Sequence, residues 1–89
     1  MSANAALTNE IRNKIKSIIS VRGMTLTSFI NSYNQQNPDT PTTTQNITNK
    51  LSRGSLRLDE FINMMDSLQY DVILRDRTNE KNMTVIEPK

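Results

Sequence analysis

Apolar side chains recur at helical spacing in four stretches of the chain. Between Leu7 and Arg22, isoleucines at positions 11, 15, 18 and 19 fall on one side of a helix because they repeat every three to four residues. The same spacing predicts helices over about residues 26–34, 43–53 and 58–68. The first of these helices is basic, the second is short, the third is polar and the fourth is apolar. This order is typical of a helix-turn-helix domain.

The residues that flank the predicted helices are of the types commonly found at helix ends. Thr25 precedes the second helix and Thr43 or Thr42 the third, where a threonine hydroxyl accepts a hydrogen bond from an N–H group of the first turn. The only two glycines, Gly23 and Gly54, follow the first and third helices, where a left-handed residue commonly ends a helix.

After Leu68 the apolar pattern changes from helical to alternating. The segments "YDVILRDR" and "MTVIE" alternate, and the polar "TNEKN" between them is typical of a turn, so a β-hairpin is expected within Tyr70–Glu87. Four apolar residues are expected to share one face of this hairpin: Val72, Leu74, Met83 and Val85.

The predicted fold is mainly α, a helix-turn-helix domain of four to five helices with a C-terminal β-hairpin. We divide the chain into a flexible N-terminus at residues 1–6, the helix-turn-helix domain at residues 7–69 and the hairpin at residues 70–89. A two-stranded hairpin alone is marginally stable in water and must pack on something. We expect it to pair with its twin in a homodimer; the alternative is that it covers the core of its own chain.

The residue types exclude several functions. The chain has no cysteine and no histidine, so the commonest general base, the commonest metal ligand and thiolate sites are missing. It also has no glycine-rich phosphate loop and no nucleophile motif, so we expect neither an enzyme nor a cofactor.

No apolar run approaches the roughly 18 residues of a membrane span, and the N-terminus lacks the pattern of a secretory signal. We therefore expect a cytoplasmic protein.

Charge is unevenly distributed along the chain. Residues Ile11–Leu58 carry seven basic side chains and one acidic one, whereas residues Asp59–Lys89 carry four basic and seven acidic side chains. A basic segment of this kind favours a polyanionic partner, although surface charges also cluster by chance.

The third helix is unusual because only two of its side chains, Ile47 and Leu51, are large and apolar. At 100° per residue these two define the inward side of the helix. The opposite side carries three amides and a guanidinium: Gln45, Asn46, Asn49 and Arg53.

These outward side chains match the chemistry of the DNA major groove. Glutamine and asparagine donate and accept in one plane, as adenine requires, and arginine pairs with guanine or with phosphate. Thr43 and Thr44 lie at the start of the helix, where hydroxyls and free N–H groups suit phosphate oxygens. The nearest basic residues, Lys50, Arg53 and Arg57, are expected to contact phosphates. The alternative is a solvated amphipathic helix in a chain that is rich in Asn and Thr throughout.

The segments "MTLTSFIN" and "TTTQNITNKLSRGSLRLDEFINMMDSL" resemble the Cro/XRE-type helix-turn-helix family of bacterial and phage regulators. Members carry a recognition helix of the kind "TTQQNISNKL.RG", followed by a helix that ends in "ALG". The corresponding residues here are Thr43–Gly54 and Leu58–Gln69, and the resemblance covers roughly Ile11–Tyr70. The loop Gln35–Thr42 is longer than the usual turn of about four residues.

The resemblance implies a compact DNA-binding domain, usually a dimer on a palindromic site. It also implies roles for residues at two helix starts. Base edges would meet Thr44, Gln45, Asn46 and Asn49 of the third helix. Phosphates would meet Thr27 and Ser28 of the second helix.

The leading interpretation is sequence-specific binding of double-stranded DNA by a small transcriptional repressor, with residues 43–53 in the major groove. The alternative is a protein-interaction module, such as an antitoxin or an inhibitor, that uses the same helical face. The uneven charge favours DNA as the partner.

Overall fold

The computed structural model describes residues 5–88 and confirms the predicted fold class. Within that range, four helices precede a two-stranded antiparallel hairpin. The helices are α1 (Ala5–Val21), α2 (Leu26–Gln36), α3 (Thr44–Arg53) and α4 (Leu58–Ser67), and the strands are β1 (Val72–Arg75) and β2 (Met83–Ile86).

The first residues of α1 belong to the segment that the sequence predicts to be flexible. Of that segment, residues 1–4 lie outside the described residues, whereas Ala5 and Ala6 are helical. Every helix within residues 5–88 is too short or too polar to serve as a membrane span.

The chain divides into two compact units, Met1–Leu56 with α1, α2 and α3, and Arg57–Lys89 with α4 and the hairpin. Thus α4 groups with the hairpin, whereas the sequence division placed it with the three preceding helices. By sequence, the first unit has six basic and two acidic residues, and the second unit has five basic and seven acidic residues. The first unit is therefore net basic and the second net acidic.

In the first unit, α1 packs against both α2 and α3. The buried side chains of this unit come from all three helices: Ile15, Ile19, Phe29, Ile30, Tyr33, Ile47 and Leu51. Ile11, which the sequence predicts on the same side as Ile15 and Ile19, is exposed instead. Direction around the helix does not account for this by itself, because Ile18 lies farther around α1 from the buried side than Ile11 does and is half-buried. Ile11 also lies one turn nearer to the start of α1 than its buried residues Ile15 and Ile19.

The predicted helix ends of this unit are confirmed. The Thr25 side chain accepts a hydrogen bond from the N–H of Ser28 at 3.1 Å and caps α2. Gly23 and Gly54 follow α1 and α3 with φ of 74° and 70°, a left-handed conformation that a side chain disfavours.

The loop between α2 and α3 is fixed at its far end by the side chain of Asn34. The Asn34 Nδ2 donates to the carbonyl oxygen of Thr42 at 2.7 Å, and the Thr42 N–H donates to Asn34 Oδ1 at 2.9 Å. Both bonds have the short distances of well-formed hydrogen bonds. They tie the residues just before α3 to α2, although the loop between contains two prolines.

In the second unit, the buried side chains include Met64 and Met65 of α4 and Leu68, which follows the helix as its C-cap. Helical spacing predicts Leu58 on one apolar side of α4 together with Phe61, Ile62, Met65 and Leu68, but Leu58 is 82% exposed. It lies in the first turn, about 75° around the helix from the centre of the buried side.

The pairing of the hairpin contradicts the predicted apolar face. Ile73 pairs with Val85 and Arg75 pairs with Met83, and paired residues lie on the same face of an antiparallel sheet. Leu74 pairs with Thr84 on the other face. The predicted grouping is wrong because the connection between the strands sets their register, and a slip of one residue moves every side chain of a strand to the opposite face.

The two faces of the hairpin have different surroundings. Val72 and Ile86, which pair on the face of Leu74, are partly buried, and Ile86 lines a groove with Ile62 of α4. The face of Ile73, Met83 and Val85 is exposed, by 49%, 57% and 42% respectively. We call these three residues the outer hairpin face.

The turn between the strands is organised by Asp76. Its carboxylate accepts hydrogen bonds from the Thr78 hydroxyl at 2.6 Å and the Thr78 N–H at 2.8 Å, and from the Asn82 amide at 3.3 Å. These donors, the Thr78 hydroxyl first, hold the pKa of Asp76 below its ordinary value of 3.8.

Candidate nucleic-acid interface

Helix α3 is held by two buried side chains and by a close approach at its C-terminal end. Ile47 and Leu51 are 1% and 3% exposed, which confirms the predicted inward side. The Gly54 N–H donates to the Lys50 carbonyl, and a Cβ at Gly54 would lie 2.9 Å from Thr8 Oγ1 of α1. The remaining surface of this ten-residue helix is polar.

The opposite side of α3 presents the side chains that the sequence assigned to it. Gln45, Asn46 and Arg53 are exposed, and Asn49 and Lys50 are half-buried. The angular count places Asn49 near the centre of the outward side, so its partial burial requires a neighbouring side chain that covers it. Gln45 is such a neighbour, because its Nε2 donates to Asn49 Oδ1 at 3.2 Å.

The start of α3 joins two sets of predicted contact residues. Thr43, rather than Thr42, is the N-cap, and its Oγ1 accepts from the Asn46 N–H at 3.0 Å. The Thr44 hydroxyl is hydrogen-bonded to Thr27 Oγ1 of α2 at 3.3 Å. A predicted base contact and a predicted phosphate contact are therefore adjacent. Thr43 takes up the N–H of Asn46, whereas the earlier N–H groups of a helix have no carbonyl partner within the helix and add donors at this place.

Ser28, the other residue assigned to phosphate at the start of α2, already has hydrogen-bond partners. Its Oγ accepts from the Thr25 N–H at 3.0 Å and donates to the Thr25 carbonyl oxygen at 3.1 Å. A hydroxyl has one proton to donate. A phosphate at Ser28 would therefore compete with the cap of α2, whereas Thr27 lies outside that cap.

The three cations assigned to phosphate differ in position. Arg53 is the last residue of α3 and is exposed, and Lys50 lies one turn before the helix end. Arg57 belongs to the second unit, where its Nη2 lies 2.9 Å from Asp59 Oδ2. Both partners of this ion pair are exposed, and such pairs contribute little stability, so a phosphate can replace the aspartate.

Two features of the site escaped prediction. The link between Gln45 and Asn49 had a signal, because residues four apart on a helix are neighbours. The pairing of Asn34 with Thr42 had no such signal in the sequence, because Thr42 lies eight residues after Asn34, in a loop without a repeating pattern. Asn34 positions α3 without belonging to its outward surface.

The described part of the chain, residues 5–88, contains no cluster of three His, Cys, Asp or Glu residues that could hold a metal ion. No family model matches this chain, and neither does any curated protein or any solved structure.

Proposed function

We propose that this protein binds double-stranded DNA in a sequence-specific manner and acts as a small transcriptional repressor in the cytoplasm, at the nucleoid. Helix α3 would enter the major groove. The observation that carries the proposal is the division of α3 into a narrow apolar side, Ile47 and Leu51, and a broad exposed side of amides, hydroxyls and cations. A recognition helix needs this division because most of its surface must be free to reach base edges.

Two observations favour DNA over a protein partner for this surface, and a third favours binding by a preformed surface. The first unit is net basic, and no acidic residue occurs between Thr40 and Leu58. Thr27 and Thr44 lie together at one end of the surface, next to the free N–H groups of α3. The loop before α3 is tied to α2 through Asn34, so the helix is positioned before any partner arrives. A preformed surface loses less conformational entropy on binding.

We propose that the outer hairpin face pairs with the same face of a second copy. Ile73, Met83 and Val85 are exposed there, with Arg75 beside Met83, and the free energy falls when such apolar side chains leave water. A two-fold dimer joins a surface to itself and can place two copies of α3 on successive turns of one DNA face, about 34 Å apart. The operator would then be a palindrome.

Selection of bound duplexes from a random-sequence pool by the full-length protein tests the DNA proposal. We expect enrichment of a palindrome that contains adenine in each half-site, because Gln45 and Asn46 expose amides. The variant Gln45→Ala should lose preference at one base pair per half-site, at a cost of about 1–3 kcal/mol.

The matched control is Gln35→Ala, which removes an exposed glutamine of α2 outside α3. It should select the same palindrome as the unchanged protein. A pool without any enriched sequence would overturn the proposal and leave the protein-interaction alternative for α3.

A further inference from the structure

The two amides at the centre of the outward side of α3 are joined in the free protein. The Gln45 Nε2 donates to Asn49 Oδ1 at 3.2 Å, and the two residues lie one helical turn apart on the same side. Gln45 is exposed and Asn49 is half-buried. The hydrogen bond therefore joins an exposed amide, Gln45, to a less exposed one, Asn49.

This hydrogen bond fixes which groups remain available. A primary amide has two N–H donors and one carbonyl acceptor. Gln45 keeps its carbonyl oxygen and one N–H, whereas Asn49 has its carbonyl oxygen engaged and keeps only donors. The major-groove edge of adenine requires a donor to N7 and an acceptor from the N6 amino group. Gln45 can offer both while the bond to Asn49 stays in place.

We infer that Asn49 is a positioning residue, whose carbonyl oxygen holds the amide of Gln45 in the orientation that reads adenine. While Asn49 keeps its present orientation, turning the Gln45 amide over would bring the carbonyl oxygens of Gln45 and Asn49 together without a proton between them. A glutamine side chain without this partner must also lose rotamer freedom when it binds a base. Asn49 then contributes to specificity through Gln45 rather than through a base of its own. The inference rests on the proposed function, because it requires α3 to meet base edges.

Two substitutions of Asn49 separate positioning from direct reading. Asn49→Asp keeps an oxygen that accepts from Gln45 Nε2 but removes both N–H donors. Asn49→Ala removes the acceptor as well. Because the new carboxylate repels phosphates and weakens binding to every duplex, the measurement is a ratio of affinities. The two duplexes carry either adenine or guanine at the base pair whose preference is lost in Gln45→Ala, and far-UV circular dichroism confirms that each variant is folded.

We expect Asn49→Ala to lower this ratio about three- to tenfold, the range that one hydrogen bond contributes. Asn49→Asp should keep the ratio of the unchanged protein. In the Gln45→Ala background, adding Asn49→Ala should leave the ratio unchanged, because the two residues act through one contact.

Two outcomes would overturn the inference and leave the proposed function intact. In one, Asn49→Asp loses discrimination as fully as Asn49→Ala, so that Asn49 reads a base through its own N–H groups. In the other, the effects of Gln45→Ala and Asn49→Ala multiply, so that the residues act independently. An unchanged protein that binds all duplexes alike would instead overturn the proposed function itself.

Discussion

Helix α3 in the first unit and the hairpin in the second unit expose opposite kinds of side chain. Helix α3 buries both of its large apolar residues and exposes amides, hydroxyls and an arginine. The hairpin exposes most of its apolar residues, Ile73, Leu74, Met83 and Val85. The two regions also belong to units of opposite net charge. They are therefore suited to different partners.

The difference lies in what each surface can distinguish. Hydrogen-bond donors and acceptors are directional, so the face of α3 can tell one base edge from another. Apolar contact is non-directional and grows with the area removed from water. The outer hairpin face suits a partner that is always the same, such as a second copy of the chain. A protein that reads a palindrome needs one surface of each kind.

The largest expected effect is on the free energy of unfolding, when an isoleucine is replaced by alanine in each of the two regions. Ile47→Ala should lower the free energy of unfolding by about 2–5 kcal/mol, because it leaves a cavity under α3. Ile73→Ala, on the exposed hairpin, should lower it by about 1 kcal/mol or less. Urea unfolding followed by circular dichroism measures both. Equal losses would show that the hairpin carries as much of the fold as the core of the first unit.

The next largest effect is on stability, when the left-handed residues that follow α3 and α4 are substituted. Gly54→Ala should destabilise the protein by about 1–2 kcal/mol, because an L-residue at positive φ is strained, and the new Cβ would also meet Thr8 Oγ1. Gln69 has φ of 64°, a left-handed conformation that glycine adopts without steric cost. Gln69→Gly should therefore stabilise by about 0.5–1 kcal/mol.

Gly23→Ala is the control for that comparison. Gly23 has φ of 74°, but an added Cβ would meet nothing within 4 Å. It should destabilise less than Gly54→Ala in thermal unfolding experiments. A smaller loss at Gly54 than at Gly23 would contradict the close approach of α1 and α3.

The third prediction concerns the two faces of the hairpin. Ile73→Asp places a charge on the outer hairpin face and should weaken the dimer at least about tenfold, or 1.4 kcal/mol. Leu74→Asp places the same charge on the other face and should leave the dimer intact. Sedimentation equilibrium at micromolar concentration separates the cases. A monomeric unchanged protein, or equal effects of both variants, would refute the proposed interface.

The smallest effect concerns the salt dependence of DNA binding. Arg53→Ala, at the end of α3, should lower the slope of log affinity against log salt by about one unit, because one phosphate contact is lost. Arg77→Ala removes the same charge from the turn of the hairpin and should leave the slope unchanged. If both variants lower the slope equally, the cations act as a diffuse field rather than as contacts.

The sequence predicted the two regions unequally well for a physical reason. The inward side of α3 was predictable because Ile47 and Leu51 are its only large apolar residues, so a single rotation of the helix buries both. Strand β1 has apolar residues at three successive positions, Val72, Ile73 and Leu74, so either register produces an apolar face. The register depends on the turn, in which Asp76 binds Thr78 and Asn82.

Side-chain pairing inside the site was the least predictable part. Helical spacing indicates that Gln45 and Asn49 are neighbours, but it does not say which amide donates. The pairing of Asn34 with Thr42 depends on the path of the loop between them. That loop contains two prolines and no repeating pattern from which its path could be predicted.

In the proposed complex the outward side of α3, and not the hairpin, meets DNA. The direct test is a nuclear magnetic resonance titration of the full-length, isotope-labelled protein with its selected duplex, in which each backbone N–H reports its own surroundings. We expect the largest shifts at Thr43–Asn49 and at Arg53, with Ile73 and Val85 unchanged between free and bound dimer. Shifts that concentrate on the hairpin, or a spectrum of α3 that does not change when DNA is bound, would contradict the account.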